Sequence, residues 1–340
     1  LPLDPGDAHA SIIFLRKEHR QMTDNDGVLV TRGGFFGQTY RSSGLAGCAR
    51  KVAAAVRMSL APLVMRRRTN RSVGAYFDLV TDDGRMFYGD SFHFGFFHDG
   101  AATLEDALHA HTDMVARMAR LGGVARVLDV GCGICAPAIR IAGTCSAHIT
   151  GINISREQVR QAKELIDERR LADRIHVREG NALELDFEDE SFDSLICLEV
   201  AGDICVTEAQ KTRFVDEIRR VLKPGGHIGF SDLAFTGRPN SRDEKAMKMI
   251  LYHEGRELIT DWPALFRGRG FEIVEEHEMI EQTMPTWDHF IAVYEGRRGE
   301  VEARYGRRIA AQSIENLRRL PEILRRYGSF PVVSARKPAV

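Results

Sequence analysis

Val127-Leu-Asp-Val-Gly-Cys-Gly-Ile-Cys-Ala136 is an apolar, β-branched run that ends on two glycines one residue apart and resumes with small residues. Such a run reads as a buried strand that turns sharply into a helix, with glycines that let backbone come close to a ligand. The same letters satisfy the dinucleotide fingerprint glycine-x-glycine-x-x-alanine, so a nicotinamide-dependent dehydrogenase has to be weighed. Two residues separate the readings. Asp129 stands just before the glycines, where a pyrophosphate would be repelled and a cationic cofactor, or its ordered waters, could be oriented. Downstream, Ile149-Thr-Gly-Ile-Asn153 ends on an amide where a ribose-binding dinucleotide site expects an acid. Asn153 still offers hydrogen bonds to hydroxyls, weaker than those of a carboxylate.

Outward from this loop, strands and helices alternate. Strands are expected at 124–130, 148–154, 175–179, 194–199 and 227–232, with two last ones at 271–276 and 331–335. Helices are expected at 104–121, 136–143, 157–169 behind an N-cap at Ser155, and 207–222. Lys223-Pro-Gly-Gly226 reads as the turn that stops the last of these, because proline cannot continue a helix. Repeated strand–helix units of this length mean a parallel sheet covered on both faces. The first 72 residues look like an appendage with a broken amphipathic helix at 46–68, residues 76–100 are dense in aromatics, and 287–327 is Arg-rich and helical.

The 340 residues suffice for a large core, and the net charge of −1 gives no support to general nucleic-acid binding. Arg66, Arg67, Arg68 and Arg71 form a basic cluster that reads as a solvated helix end or a hold for phosphate. The six cysteines show no framework of paired spacings, so reduced thiols and a cytoplasmic location are expected. Cys132 and Cys135 form a C-x-x-C without a second ligand pair, so no metal centre is expected from them. No apolar run is long enough to cross a bilayer, and the first residues carry no signal-peptide pattern. A homo-oligomer is compatible with the sequence.

With Leu128-Asp-Val-Gly-Cys-Gly133, Gly180-Asn-Ala182 and Leu222-Lys-Pro-Gly-Gly-His227 in order, the stretch 76–233 resembles the class I S-adenosylmethionine-dependent methyltransferases. The resemblance implies an α/β, Rossmann-like fold: a seven-stranded, mostly parallel sheet with helices on both faces, here with an N-terminal helical extension and a C-terminal helical lid insertion. It divides the chain into an extension (1–75), an aromatic entry or lid segment (76–121), the cofactor core (122–236), and lid helices with the last strands (237–340). Carried over residue by residue, it implies a cofactor set of Ser91, Asp129, Gly131, Cys132, Gly133, Asn153, Ile154, Gln158, Asn181 and Ala182.

Tyr76-Phe-Asp-Leu-Val-Thr-Asp82 and Tyr88-Gly-Asp-Ser-Phe-His-Phe94 resemble the entry region of the sterol and prenyl-diphosphate C-methyltransferases. That branch implies methylation of an isoprenoid alkene through a carbocation, followed by loss of a proton. Ring faces at Tyr76, Tyr88, Phe92 and Phe94 would shield the cation without trapping it, and a lid whose rings are plain core is the alternative. Tyr76, Phe92 and Phe94 are therefore the expected substrate contacts, and Glu199, Asp203, His93 and Tyr88 the expected catalytic groups, with Glu199 first as the base. Arginines at 66–68, 297, 298, 304, 307, 308, 318, 319, 325 and 326 tilt the choice toward a prenyl diphosphate, with Mg²⁺ as its natural companion. A sterol, or an O- or N-methyl acceptor of secondary metabolism, is the competing expectation.

Overall fold

The computed structural model describes residues 22–23, 29–30, 70–98, 103–121, 125–251 and 259–339. The chain divides into a large unit, residues 57–298 with 311–340, and a small one, residues 1–56 with 299–310. In the small unit Met22–Thr23 pairs antiparallel with Leu29–Val30. The helix expected at 46–68, with Arg66, Arg67 and Arg68, lies outside the described residues.

In the large unit seven strands form one sheet. They are β1 (Arg126–Val130), β2 (His148–Asn153), β3 (Ile175–Glu179), β4 (Phe192–Leu198), β5 (Leu222–Ser231), β6 (Glu272–Glu278) and β7 (Pro331–Arg336). Their order across the sheet is β3-β2-β1-β4-β5-β7-β6. The pairs from β3 to β5 are parallel, whereas β7 runs antiparallel between β5 and β6. Val127, Leu128 and Val130 are wholly buried, as β1 must be when helices cover both faces. Because β1 pairs with β2 on one side and β4 on the other, the order reverses there, and a crevice opens at the carboxyl ends of these strands.

The helices are α1 (Asn70–Tyr88), α2 (Leu104–Met118), α3 (Ala136–Thr144), α4 (Arg156–Glu168), the single turn α5 (Ala201–Ile204), α6 (Glu208–Val221), α7 (Ser241–Ile250), α8 (Trp262–Gly268), α9 (Ile280–Gly296), α10 (Arg298–Tyr305) and α11 (Arg307–Tyr327). Local chemistry sets their starts. Thr103 and Asp106 form a capping box for α2, Thr207 and Gln210 do so for α6, and the Ser155 hydroxyl accepts the Gln158 N–H at the start of α4. Among the described residues no helix is long and apolar enough to cross a membrane.

Two expectations change, while the Arg-rich stretch is helical as expected. Helix α1 runs through the boundary placed at residue 75 and into the aromatic segment as far as Tyr88. The Lys223-Pro-Gly-Gly226 segment is the irregular start of β5 rather than a free turn: Leu222 is already extended, Gly225 N–H donates to Lys337 O (2.8 Å), and Lys337 N–H donates to Gly226 O (2.9 Å). Pairing with β7 thus recruits residues that would otherwise form a loop. The Arg-rich stretch is three helices, α9 to α11.

Candidate active site

The crevice has a glycine-rich half and a carboxylate-rich half. In the first, Gly131 N–H and Cys132 N–H both donate to Ile152 O (2.9 and 3.1 Å), which ties the loop to the end of β2. Gly131 and Gly133 have φ of +73° and +55°, a conformation that favours glycine. A Cβ at Gly131 would lie 2.3 Å from Val200 Cγ2, whereas one at Gly133 would meet no protein atom within 4 Å. One glycine therefore serves packing, and the other keeps the crevice open. Gly131, Gly133, Asn153, Ile154, Gln158, Asn181 and Ala182 line this half together.

Asn153 is fixed by its neighbours: its Nδ2 donates to Gln158 Oε1 (2.8 Å) and its Oδ1 accepts the Ser155 N–H (2.9 Å). Asn181 Oδ1 likewise accepts the Leu183 N–H (2.9 Å). Asp129 is buried, its Oδ2 has no hydrogen-bond partner, and burial pushes its carboxyl up to about 7. An orphaned carboxylate oxygen under a glycine loop suits a cofactor that carries an ammonium group, and S-adenosylmethionine carries one. Three expected members fall outside the lining, Asp129 among them. Cys132 turns its buried thiol toward Gly151 and Cys135, and Ser91 sits half-buried in the segment between α1 and α2.

In the second half, Phe77, Phe92, Leu198, Glu199, Val200, Asp203 and Ile204 line the same crevice. Glu199, just past β4, has φ +53°, a strained value for a side chain with a Cβ. Its Oε1 accepts the Phe94 N–H (2.6 Å) and lies 3.7 Å from His111 Nδ1. Burial holds the Glu199 carboxyl well above the usual range; the Phe94 N–H opposes this, and the charges of Asp232 and Asp203 add to it. Burial raises the Tyr88 phenol too, with Glu199 and Asp203 adding, so it stays protonated. The Tyr88 ring stacks on Phe92 (6.0 Å between centroids) and meets Phe290 edge-on (4.6 Å).

The expected substrate rings part company. Phe92 lines the crevice, but the Phe94 ring is core, packed on Trp287 (5.0 Å) and Phe330 (6.0 Å), and the residue reaches the site through its main chain. Tyr76 lies edge-on to Phe77, which takes the lining position instead, since adjacent helical residues point about 100° apart. His93 is buried and does not line the crevice; burial lowers it to about 4, so it is neutral.

His111 is a member that sequence reading missed. It interrupts the buried stripe Leu108, Val115, Met118 on α2, and a polar residue on an apolar helical face was the available signal. His93, His111 and Glu199 bring one donor atom each within 4.8 Å of one another, the spacing of a metal site. Hydrogen bonds account for the rings otherwise. The Nδ1 atoms of His93 and His111 both lie on Phe94 O (2.9 and 2.7 Å), and a carbonyl only accepts, so both Nδ1 atoms carry protons. The Nε2 atoms then accept from Thr112 Oγ1 (3.3 Å) and Ser231 Oγ (2.7 Å), which leaves no ring lone pair for an ion.

Five of the arginines expected to grip phosphate are paired with carboxylates. Arg318 pairs with Glu295, Arg319 with Asp243 (3.0 Å), Arg325 with Glu281 (3.2 Å), Arg326 with Glu322 (3.3 Å) and Arg307 with Glu302 (3.7 Å). Among the described residues no lysine or arginine lines the crevice, which instead has Glu199 and Asp203.

Comparison with known proteins agrees with this arrangement. Residues 127–226 match a family model described as a methyltransferase domain. The 27-O-demethylrifamycin SV methyltransferase of Amycolatopsis mediterranei is 29% identical over 69% of this chain and 86% of its own. The sterol 24-C-methyltransferase of Clavispora lusitaniae is 32% identical over 61% of this chain, which spans about half of it (55%). Among solved structures, the [4+2]-cyclase SpnF is 28% identical with a TM-score of 0.67, covering 80% of this chain and 97% of that one.

Proposed function

We propose that this chain, which is a class I S-adenosylmethionine-dependent methyltransferase, methylates a hydroxyl group of an uncharged, largely apolar acceptor, with Glu199 as the proton acceptor. The observation that carries this reading is the acceptor wall: Glu199 and Asp203 beside Phe92, with no lysine or arginine among the described lining residues. An anionic acceptor would be repelled there, at a strength that burial increases. When bound, the cofactor would supply a methyl carbon made electrophilic by its sulfonium, with sulfur keeping the C–S electron pair as a thioether. Glu199 would take the proton of the acceptor hydroxyl as that oxygen is methylated, its carboxylate becoming a carboxylic acid, so charge and protons balance. Burial makes Glu199 a stronger base than a solvated carboxylate, which suits proton removal from a weak acid. Tyr88, held protonated, can donate a hydrogen bond beside it. The rifamycin relative's name specifies an oxygen acceptor, in line with this reading.

A second reading is methylation of an isoprenoid alkene, favoured by the sterol relatives and by the Phe92–Tyr88 stack at the crevice. Glu199 would then take a proton from a carbocation. A prenyl diphosphate, with or without Mg²⁺, draws less support, because Arg318, Arg319 and Arg325, among those that would hold it, are paired with carboxylates. The deciding experiment offers methyl-labelled cofactor with phenols, macrocyclic alcohols, a sterol and geranyl diphosphate, and locates the label by NMR. Label on oxygen is expected; label confined to carbon would overturn the leading reading. Arg318→Gln and Arg325→Gln are expected to leave every KM within about twofold, as for surface ion pairs. A tenfold rise for the diphosphate alone would restore that substrate.

A further inference from the structure

We infer that His111 is a positioning residue for Glu199, acting through a closed ring of hydrogen bonds that joins four separate segments of the chain; the inference rests on the proton-acceptor role proposed for Glu199. Starting at Glu199, its own N–H donates to Ser231 O (2.8 Å) at the end of β5. The Ser231 hydroxyl donates to His111 Nε2 (2.7 Å) on α2, and His111 Nδ1–H donates to Phe94 O (2.7 Å) in the segment before α2. Phe94 N–H then returns to Glu199 Oε1 (2.6 Å). Main chain and side chain of Glu199 are thus held from two sides by elements that meet on one imidazole.

Three features show that the imidazole is itself fixed. Phe96 stacks on it with ring centroids 3.8 Å apart at 22°, and Phe330 meets it edge-on at 5.6 Å. Its Nδ1–H, committed to Phe94 O, also lies 3.7 Å from Glu199 Oε1, so the N–H dipole faces both oxygens. Phe94 is anchored further by the His93 Nδ1–H on the same carbonyl (2.9 Å) and by the Gly95 N–H on Thr286 Oγ1 (3.0 Å). The ring also accounts for the positive φ of Glu199: left to itself the residue would relax, and the Ser231 and Phe94 bonds over-determine it. A packed histidine with no further role would need only burial and satisfied nitrogens, whereas here both nitrogens lead to Glu199, by different routes.

The groups facing Glu199 are Tyr88 from α1, His93 and His111, Asp203 from α5, and Asp232 after β5. Activity needs Glu199 ionised, so turnover rises with pH through its titration, and the Phe94 N–H favours the ionised form. His111→Leu is therefore expected to move the acid limb of kcat/KM up by about one pH unit and to lower kcat about tenfold. Cofactor affinity should hold within about twofold, since His111 lies outside the crevice lining. His111→Asn places an amide N–H where Nδ1 was and should return the midpoint toward the native one, whereas His111→Gln, which reaches the Nε2 place, should not. Ser231→Ala keeps the imidazole but frees it, and should shift the midpoint in the same direction by less; it also serves if the leucine variant does not fold. A midpoint unmoved in these variants, or equal rescue by asparagine and glutamine, overturns the inference even if melting temperatures fall. Glu199→Gln separates the two readings: native turnover there would remove the proton-acceptor role, while its loss together with unmoved His111 midpoints would remove only the positioning role.

Discussion

On the glycine side of the crevice the contacts come from main chain and from residues a few positions apart: Gly131 and Gly133 in one loop, Asn153 with Ser155 and Gln158 in the next, Asn181 with Leu183 in the third. On the acceptor side Glu199 is held by Phe94, His111 and Ser231, which lie far from it and from one another in the chain. The first half is a repeated local solution, one turn at the end of each strand. The second exists only when four segments are in place together. Local solutions can be shared by many enzymes with one cofactor, whereas long-range ones can differ with the acceptor, as the varied names among this chain's relatives illustrate.

The sharpest way to break this division is to remove the proposed proton acceptor. Glu199→Gln keeps the shape and should leave cofactor affinity, measured by calorimetry, nearly intact while turnover falls by at least about 100-fold. A matched loss of affinity would mean that the two halves are not separable. A smaller effect is expected at Asp129. Its carboxyl sits near 7, and an ammonium-bearing cofactor favours the ionised form, so affinity should be full above that pH and fall as pH drops through it. Asp129→Asn should flatten this dependence and weaken binding about tenfold at pH 8. The linked effect on the free protein has the opposite sense: with a folded value above the unfolded one, Asp129 supports stability below about pH 4 and this contribution is lost as pH rises toward 7. The smallest effect separates the two glycines. Gly131→Ala, which would drive a Cβ against Val200, should lower the melting temperature by several degrees. Gly133→Ala, with open space before it, should cost less stability and act mainly on cofactor affinity.

Much of the fold could be read from sequence. The strand 175–179 coincides with β3, Ser155 caps α4 as its position before Glu157 implied, and most other strands differ by one or two residues at their ends. The glycine half was similarly legible, apart from Cys132, Ser91 and Asp129, which lie outside the lining. A motif gives the position of the main chain, and it does not say which way a thiol turns once a neighbouring strand offers a packing surface. In the other half, Glu199, Asp203 and Phe92 do line the crevice, yet Phe94 was given the wrong part of its anatomy.

By itself the sequence determined the alternating α/β architecture, the glycine loop and the cofactor class, because periodicity, capping and turn chemistry act between residues only a few positions apart. Only the tertiary structure decided that Phe94 contributes its N–H rather than its ring, that His111 and Ser231 hold Glu199, and that Arg318, Arg319 and Arg325 pair with carboxylates. Those facts depend on side-chain directions at places where distant segments cross, and no local pattern encodes them.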